Sequence, residues 1–263
     1  MIYVTGDIHG ETKRFSKKNF PEQENMTRDD YVIILGDFGI IWSQSEDKEE
    51  KYYLDILENK SFTTLFIDGN HENHDRLNSY PAVEWHGGLV HKIRSNVYHL
   101  MRAQIYDIEG KSFFTFGGAR SHDINGLASK DELKKDYTAG ILNRDAPDFE
   151  EKKKLCRKRD LFYRIEGESW WRREMPSQDE MQAGLLTLER AGLRVDYVLT
   201  HEAPTSTLIE LADGVFPPDE LTDYLEGIKQ RLSYTEWYFG HHHDDIAVND
   251  KDIMLYQSMH RLI

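Results

Sequence analysis

Five short runs of apolar residues, mostly β-branched or aromatic, are each followed by glycine, aspartate or histidine. The runs cover residues 2–5, 31–35, 63–67, 195–200 and 237–239. Near-continuous apolar runs of this length are typical of strands that are buried on both faces. The pattern therefore predicts an α/β protein in which other layers cover the sheet and polar side chains gather where strands end.

Capping-box sequences of the form S-x-x-E mark two predicted helix starts between these runs. One begins at Ser43 and the other at Ser177, and the second helix is expected to stop near Gly192. A group of closely spaced strands, which favours an antiparallel section, is predicted over residues 89–93, 104–108 and 112–116.

The chain has 263 residues, which suits one large domain that carries an insertion. Residues 121–176 are rich in charge, and strand signals resume after them. We interpret this stretch as a partly helical insertion in a single domain that spans residues 1–263.

Side chains with nitrogen or oxygen donor atoms follow all five runs. Asp7 and His9 are separated by one residue, so in an extended segment both point the same way. The complete set, in chain order, is Asp7, His9, Asp37, Asn70, His71, Glu72, His201, His241 and His243. Ligands of open α/β sheets bind beyond the carboxyl ends of strands, so these side chains are expected to share one site.

The donor chemistry of this set indicates a metal site. Carboxylate oxygens, imidazole nitrogens and an amide oxygen suit Mn, Fe or Zn rather than a soft thiolate site. Each fragment alone has an ordinary explanation: aspartate after glycine is a common turn residue, and a solitary histidine such as His201 more often packs in a core. The ordered set at five strand ends makes chance a poor explanation.

The order Asp-x-His, Gly-Asp, Gly-Asn-His-Glu, His and Gly-His-x-His resembles the calcineurin-like metallophosphoesterase superfamily over residues 5–243. The stretch 116–123, with Trp170, Trp171 and residues 176–180, is similar to a bacterial and phage subgroup. The resemblance implies two mixed β-sheets packed as a sandwich and flanked by helices. It also implies metal-dependent hydrolysis of a phosphomonoester or phosphodiester.

The resemblance further implies roles for the site residues. It assigns one metal ion to Asp7, His9, Asp37 and His243, and another to Asp37, Asn70, His201 and His241. Asp37 would bridge two divalent or trivalent ions (Mn, Fe or Zn), and a hydroxide held between them would attack phosphorus. His71 corresponds to the histidine near the leaving group, where it would act as an acid. Glu72 would orient His71 through a hydrogen bond or cap the following helix.

Weaker signals concern the substrate. Arg120 and His122 follow a predicted strand and are candidate phosphate contacts, although the glycine pair before them has a structural alternative, a close approach of two backbones. A solvated helix face explains the basic stretch 152–159 better than a nucleotide contact does. Trp170 and Trp171 suit either stacking on a base or burial of the insertion.

The formal net charge of -14 disfavours a dedicated nucleic-acid protein, since such proteins neutralise phosphates with excess Lys and Arg. A small phosphoester, a nucleotide or a phosphoprotein is the expected substrate. Cys156 is the only cysteine, which excludes an intramolecular disulfide. No window approaches the roughly 20 apolar residues of a membrane span. These features predict a cytoplasmic protein without a membrane partner.

Three alternatives remain at this point. A serine/threonine protein phosphatase shares the first and third motifs, but its second motif continues into Arg-Gly, whereas here Asp37 is followed by Phe38 and Gly39. A nuclease is disfavoured by the acidic composition. A catalytically inactive scaffold that binds proteins is expected to have lost ligands, whereas every ligand position is filled here.

Overall fold

The computed structural model describes residues 1–122, 140–212 and 215–263. Within these residues, two mixed β-sheets lie face to face and helices cover their outer surfaces. The expected α/β sandwich is therefore confirmed.

The strands and helices occur in the following order. The strands are β1 (Ile2–Thr5), β2 (Tyr31–Leu35), β3 (Thr63–Ile67), β4 (Ala82–Trp85), β5 (Gly88–Arg94), β6 (Val97–Leu100), β7 (Gln104–Ile108), β8 (Lys111–Phe116), β9 (Ile141–Leu142), β10 (Arg164–Ile165), β11 (Tyr197–Thr200), β12 (Glu236–Phe239), β13 (Ile246–Ala247), β14 (Asp252–Met254) and β15 (His260–Arg261). The α-helices are α1 (Lys48–Glu58), α2 (His74–Leu77), α3 (Phe149–Lys158), α4 (Gln178–Arg190), α5 (Thr205–Ala212) and α6 (Glu220–Lys229).

Parallel strands form the centre of both sheets. The first sheet has the order β15-β1-β2-β3-β6-β5-β4, and the second has the order β13-β14-β12-β11-β8-β7. Strands β1, β2, β3 and β6 are parallel to one another, as are β14, β12, β11 and β8. The neighbouring strands β1, β2 and β3 therefore end at one edge of the first sheet, and β11 and β12 end together in the second.

The alternation of side chains along each strand separates the core into layers. In β2, Ile33 and Leu35 pack between the two sheets, whereas Val32 and Ile34 pack on the outer side with Leu54 of α1. The outer side of the second sheet packs against residues of α4, α5 and α6. All five residues of β2 are buried, as the sequence pattern predicted for a strand covered on both faces.

The two predicted helix starts have different outcomes. Ser177 and Glu180 form the predicted capping box, and α4 ends two residues before Gly192. The prediction at Ser43 is wrong, because α1 begins at Lys48 and its cap is Asp47. The Asp47 carboxylate accepts hydrogen bonds from two backbone N–H groups of the first turn, and the Ser43 hydroxyl donates to Asp47 at 2.6 Å instead.

Of the predicted insertion, the structure describes residues 121–122 and 140–176, and residues 123–139 lie outside the described part of the chain. It contains α3, the short parallel pair of β9 and β10, and a 3-10 turn at Arg172–Glu174. Trp171 is 3% exposed, and its ring meets the Trp42 ring edge to face at 5.2 Å. This contact attaches the insertion to the main body.

Among the helices that the structure describes, none has both the length and the apolar character needed to cross a bilayer.

Candidate metal centre

The predicted donor residues meet where the central strands of the two sheets end. The first sheet contributes residues that follow β1, β2 and β3, and the second contributes residues that follow β11 and β12. Direct contacts join the two sets: the backbone N–H of His241 donates to Asp7 Oδ1 at 3.0 Å, and His201 Nδ1 lies 2.7 Å from the Leu35 carbonyl oxygen. One site is therefore built from both sheets.

A first cluster consists of Asp7, His9, Asp37 and His243. One donor atom from each of these four residues lies within 4.8 Å of the others. His9 Nε2 is 3.8 Å from Asp7 Oδ2 and 3.8 Å from Asp37 Oδ2, and His243 Nε2 is 3.2 Å from Asp7 Oδ2. The structure thus brings together the set that the resemblance assigns to one cation.

A second cluster shares Asp37 with the first. Donor atoms of Asp37, His201 and His241 lie within 4.8 Å of one another. His201 Nε2 is 3.3 Å from Asp37 Oδ1 and 3.3 Å from the amide oxygen of Asn70. Because a carbonyl oxygen only accepts, His201 Nδ1 must donate to Leu35, and this leaves Nε2 facing the cluster.

The polar atoms of both clusters fit a cation. In the described part of the chain, Asp7 Oδ2 and His241 Nε2 are buried without a hydrogen bond, although buried polar atoms normally have a partner. His9 Nε2 and His243 Nε2 face each other at 2.9 Å, so at most one of them donates to the other. Carboxylate, imidazole and amide donors together match Mn, Fe or Zn.

Four of the donor residues have backbone conformations that residues other than glycine rarely adopt. The φ angles are 46° at His9, 44° at Asp37, 67° at His241 and 54° at His243. Left-handed conformations of such residues cost of order 1 kcal/mol or more, and they persist where the surrounding structure requires them. Here each one places its side chain in the shared site.

Glycines precede several donors because the donor side chains pass very close to the backbone. A Cβ atom on Gly69 would lie 2.1 Å from Asp37 Oδ1 and 2.8 Å from His201 Nε2. A Cβ atom on Gly36, which has a φ of +90°, would lie 2.2 Å from His201 Nδ1. The predicted motifs therefore need glycine for space as well as for conformation.

The electrostatics of the site are dominated by buried opposite charges. Burial by itself would raise the pKa of Asp37, but the nearby His201 ring holds that pKa well below its usual range. Burial would lower the pKa of His201, yet the carboxylates of Asp37 and Asp7 raise it to about 10. In the absence of a cation, a proton on His201 thus compensates the charge of the carboxylates.

His71 lies at the mouth of the first cluster. Its ring meets the His9 ring edge to face at 5.0 Å and stacks on Trp42 at 5.9 Å. Its backbone N–H donates to Asp37 Oδ1 at 2.8 Å. The imidazole is partly exposed, so it is available to a bound molecule next to the donor cluster.

The expected roles of Glu72 are not what the structure shows. Its carboxylate accepts from the backbone N–H of Phe38 at 2.7 Å and of Gly39 at 3.3 Å. The cap of α2 is Asn73, whose side chain accepts from the Arg76 N–H. Burial and then the Asp37 charge raise the pKa of Glu72 well above its usual value. Glu72 therefore stabilises the loop that carries Asp37. The motif correctly placed Glu72 near the site, but it did not predict its hydrogen-bond partners.

The two candidate substrate residues have different positions. The ring of His122 stacks on the His241 ring at 4.6 Å, beside the second cluster. Arg120 is exposed after β8, and its charge acts on Asp219. Their predicted contact with phosphate stays a prediction.

Sequence reasoning missed Glu202, which directly follows His201. Glu202 is buried and accepts from His242 Nε2 at 2.9 Å and from the Ala203 N–H at 2.8 Å. Its position next to the predicted ligand His201 could have indicated that Glu202 lies near the site. Glu202 Oε2 also lies 3.7 Å from His241 Nε2, so Glu202 belongs to the surroundings of the second cluster.

We predict that Gly69→Ala disrupts the site while the fold persists. The added Cβ forces Asp37 and His201 apart, so cation affinity should fall, and turnover should fall on the order of 100-fold because reacting groups are misplaced. Elemental analysis would measure the bound metal, a turnover assay would measure the rate, and circular dichroism would check the fold. Gly227→Ala is the matched control, because nothing lies within 4 Å of its Cβ; it should bind metal normally. Wild-type metal content in Gly69→Ala would contradict the close packing.

The raised pKa of His201 predicts how the stability of the chelated protein depends on pH. A pKa of about 10 in the folded state, against 6.5 for the unperturbed group, contributes stability that is complete below pH 6.5. This contribution is lost as the pH rises towards 10. Urea unfolding in chelator should show that wild type loses more stability over this interval than His201→Asn, which keeps a donor for Leu35. The prediction would be refuted if the free energy of unfolding depended on pH equally in the two proteins.

Comparison with known proteins agrees with the geometry. No curated protein matches the chain. A family model described as calcineurin-like phosphoesterase matches residues 1–245, which include all nine donor-set residues. The superfamily resemblance is thereby confirmed, and with it a general assignment as a hydrolase of phosphoric esters. The chain belongs to the calcineurin-like phosphoesterase family.

Proposed function

We propose that the protein hydrolyses a phosphomonoester or a phosphodiester at a site that holds two metal ions, each of them Mn, Fe or Zn. The observation that carries the proposal is the sharing of Asp37 between two donor clusters. A carboxylate between two clusters, with one oxygen near His9 and the other near His201, is suited to hold two cations side by side.

The ligand sets of the proposal follow the two clusters. Asp7, His9, Asp37 and His243 would hold one cation, and Asp37, Asn70, His201 and His241 would hold the other. When bound, a pair of cations supplies an activated water and stabilises the charge on the phosphoryl oxygens. The protein contributes fixed positions: His201 is oriented by the Leu35 carbonyl, and Asp7 is oriented by the His241 N–H.

His71 is proposed to carry the proton for the leaving group. Its ring is next to His9 but belongs to neither donor cluster, so it is not committed to holding a cation. Trp42 covers one side of the imidazole and limits its rotation. A positioned histidine that donates a proton to the leaving oxygen accelerates such reactions by roughly 10² to 10⁴-fold.

The substrate is proposed to be a small phosphoester, a nucleotide or a phosphoprotein. His122, stacked on His241, would approach the phosphate from the side of the second cluster. Arg120 would add a positive charge near the same loop. The net charge of -14 argues against a duplex nucleic acid as the main partner.

Asp37→Asn tests the central feature of the proposal. Wild type with Mn²⁺ is expected to cleave p-nitrophenyl phosphate, its bis-ester, or a member of a panel of cyclic nucleotides, nucleotides and phosphopeptides. The variant should lose metal from both positions and show no turnover, because it lacks the charge that both clusters share. Elemental analysis alongside the assays would measure this.

A circular dichroism spectrum and melting curve close to those of wild type would show that Asp37→Asn still folds. Two bound ions and normal rates in the variant would end the assignment. If metal-loaded wild type cleaves no substrate in the panel, an inactive scaffold is favoured instead.

His71→Ala should retain both metal ions and lose turnover by roughly 100-fold or more with poor leaving groups. The loss should be smaller with p-nitrophenolate, which departs without needing a proton. His260→Ala, which removes an exposed histidine on β15, serves as the control and should leave rates unchanged. An equal loss for all leaving groups would argue against an acid role for His71.

A further inference from the structure

The amide of Asn70 can serve the proposed site in only one of its two orientations. Its oxygen can bind a cation, whereas its NH₂ group has no lone pair to offer. The two ends of an amide have nearly the same size, so packing alone does not choose between them. In the structure the oxygen faces the site, 3.3 Å from His201 Nε2. Some other group must hold the NH₂ end.

Ser121 is the group that contacts the NH₂ end. Asn70 Nδ2 donates to Ser121 Oγ at 3.3 Å, and both residues are buried. The Ser121 hydroxyl in turn donates to Glu174 Oε2 at 2.6 Å, and the Ser121 backbone N–H donates to Glu174 Oε1 at 2.9 Å. A buried carboxylate thus accepts two hydrogen bonds from the same serine.

The donors and acceptors of these hydrogen bonds are fixed by their chemistry. A carboxylate only accepts, so the single proton of the Ser121 hydroxyl is used on Glu174. The hydroxyl oxygen can then only accept from Asn70. An amide oxygen turned towards Ser121 would find no donor there and would leave a buried acceptor unpaired, which is unfavourable. The Glu174 carboxylate, which can only accept, therefore selects the orientation of the Asn70 amide through Ser121.

Glu174 is itself firmly placed. It is 1% exposed and lies in the 3-10 turn Arg172–Glu174, at the end of the insertion. Its carbonyl oxygen accepts from Arg102 Nη2 at 3.2 Å. The same guanidinium binds the Asp68 carboxylate, with Nε at 2.9 Å. Asp68 lies two residues before Asn70, so the insertion is anchored to the loop whose amide it orients.

We propose that Ser121 and Glu174 are positioning residues that fix the Asn70 amide oxygen towards the second cation, and that the insertion thereby forms part of the metal site. This inference rests on the dinuclear site of the proposed function. It gives the insertion a role in metal binding through Ser121 and Glu174, although neither of them is a ligand.

The test is calorimetric titration of chelated protein with Mn²⁺, combined with elemental analysis. Wild type should bind two ions. Ser121→Ala should bind one ion normally and the other about 10 to 100-fold more weakly, the usual effect of removing a hydrogen-bond partner of a ligand. Ser121→Thr keeps the hydroxyl and should restore the affinity. Glu174→Gln should weaken the same ion, since an amide no longer fixes the direction of the serine proton.

Ser112→Ala is the matched control. Ser112 also donates to a carboxylate, Asp196 at 2.9 Å, but it lies at the opposite end of β8 from the site. It should bind both ions as wild type does.

The outcomes separate the inference from the proposed function. Unchanged binding of both ions by Ser121→Ala overturns the positioning role and leaves the dinuclear site intact. Equal weakening of both ions, or failure of Ser121→Thr to restore binding, also overturns the role, since it indicates general damage. Wild type that binds fewer than two ions overturns the proposed function and this inference with it.

Discussion

Asp37 is only 1% exposed, yet the nearby His201 ring holds the pKa of its carboxyl well below the usual range, which favours the charged form. A buried charge is tolerated only when opposite charges and hydrogen bonds compensate it. Here the His201 ring supplies the charge and the His71 N–H supplies a hydrogen bond. The backbone of Gly69 lies very close to the Asp37 carboxylate, and Asp37 itself has a left-handed conformation. Both features bring the compensating groups within reach of the carboxylate.

Groups from both sheets compensate this charge, so the two sheets are held together at this edge. Asp37 follows β2 of the first sheet, and His201 follows β11 of the second. The His201 ring also donates to the backbone of β2, and the His241 N–H reaches Asp7 across the same boundary. The site is therefore also a junction between the two sheets.

The fold was largely predictable because its signals are local. The runs in β1, β2 and β3 have the predicted bounds, since a buried strand between two layers is apolar throughout. The start of α1 was mispredicted because the Asp47 carboxylate, not the Ser43 hydroxyl, accepts from the backbone N–H groups of the first turn, and Ser43 donates to Asp47. The sequence offers both residues as possible caps, and only the three-dimensional geometry selects Asp47.

The sequence by itself determined which side chains with donor atoms follow the strands, and in what order, because strand ends and glycine turns are encoded within a few residues. Only the tertiary structure decided their partners. Glu72 contacts the loop at Phe38, and Glu174 reaches Asn70 through Ser121, across 34 and about 100 residues of chain. Hydrogen bonds over such separations form only after the two sheets and the insertion have packed, so a local sequence pattern cannot predict them.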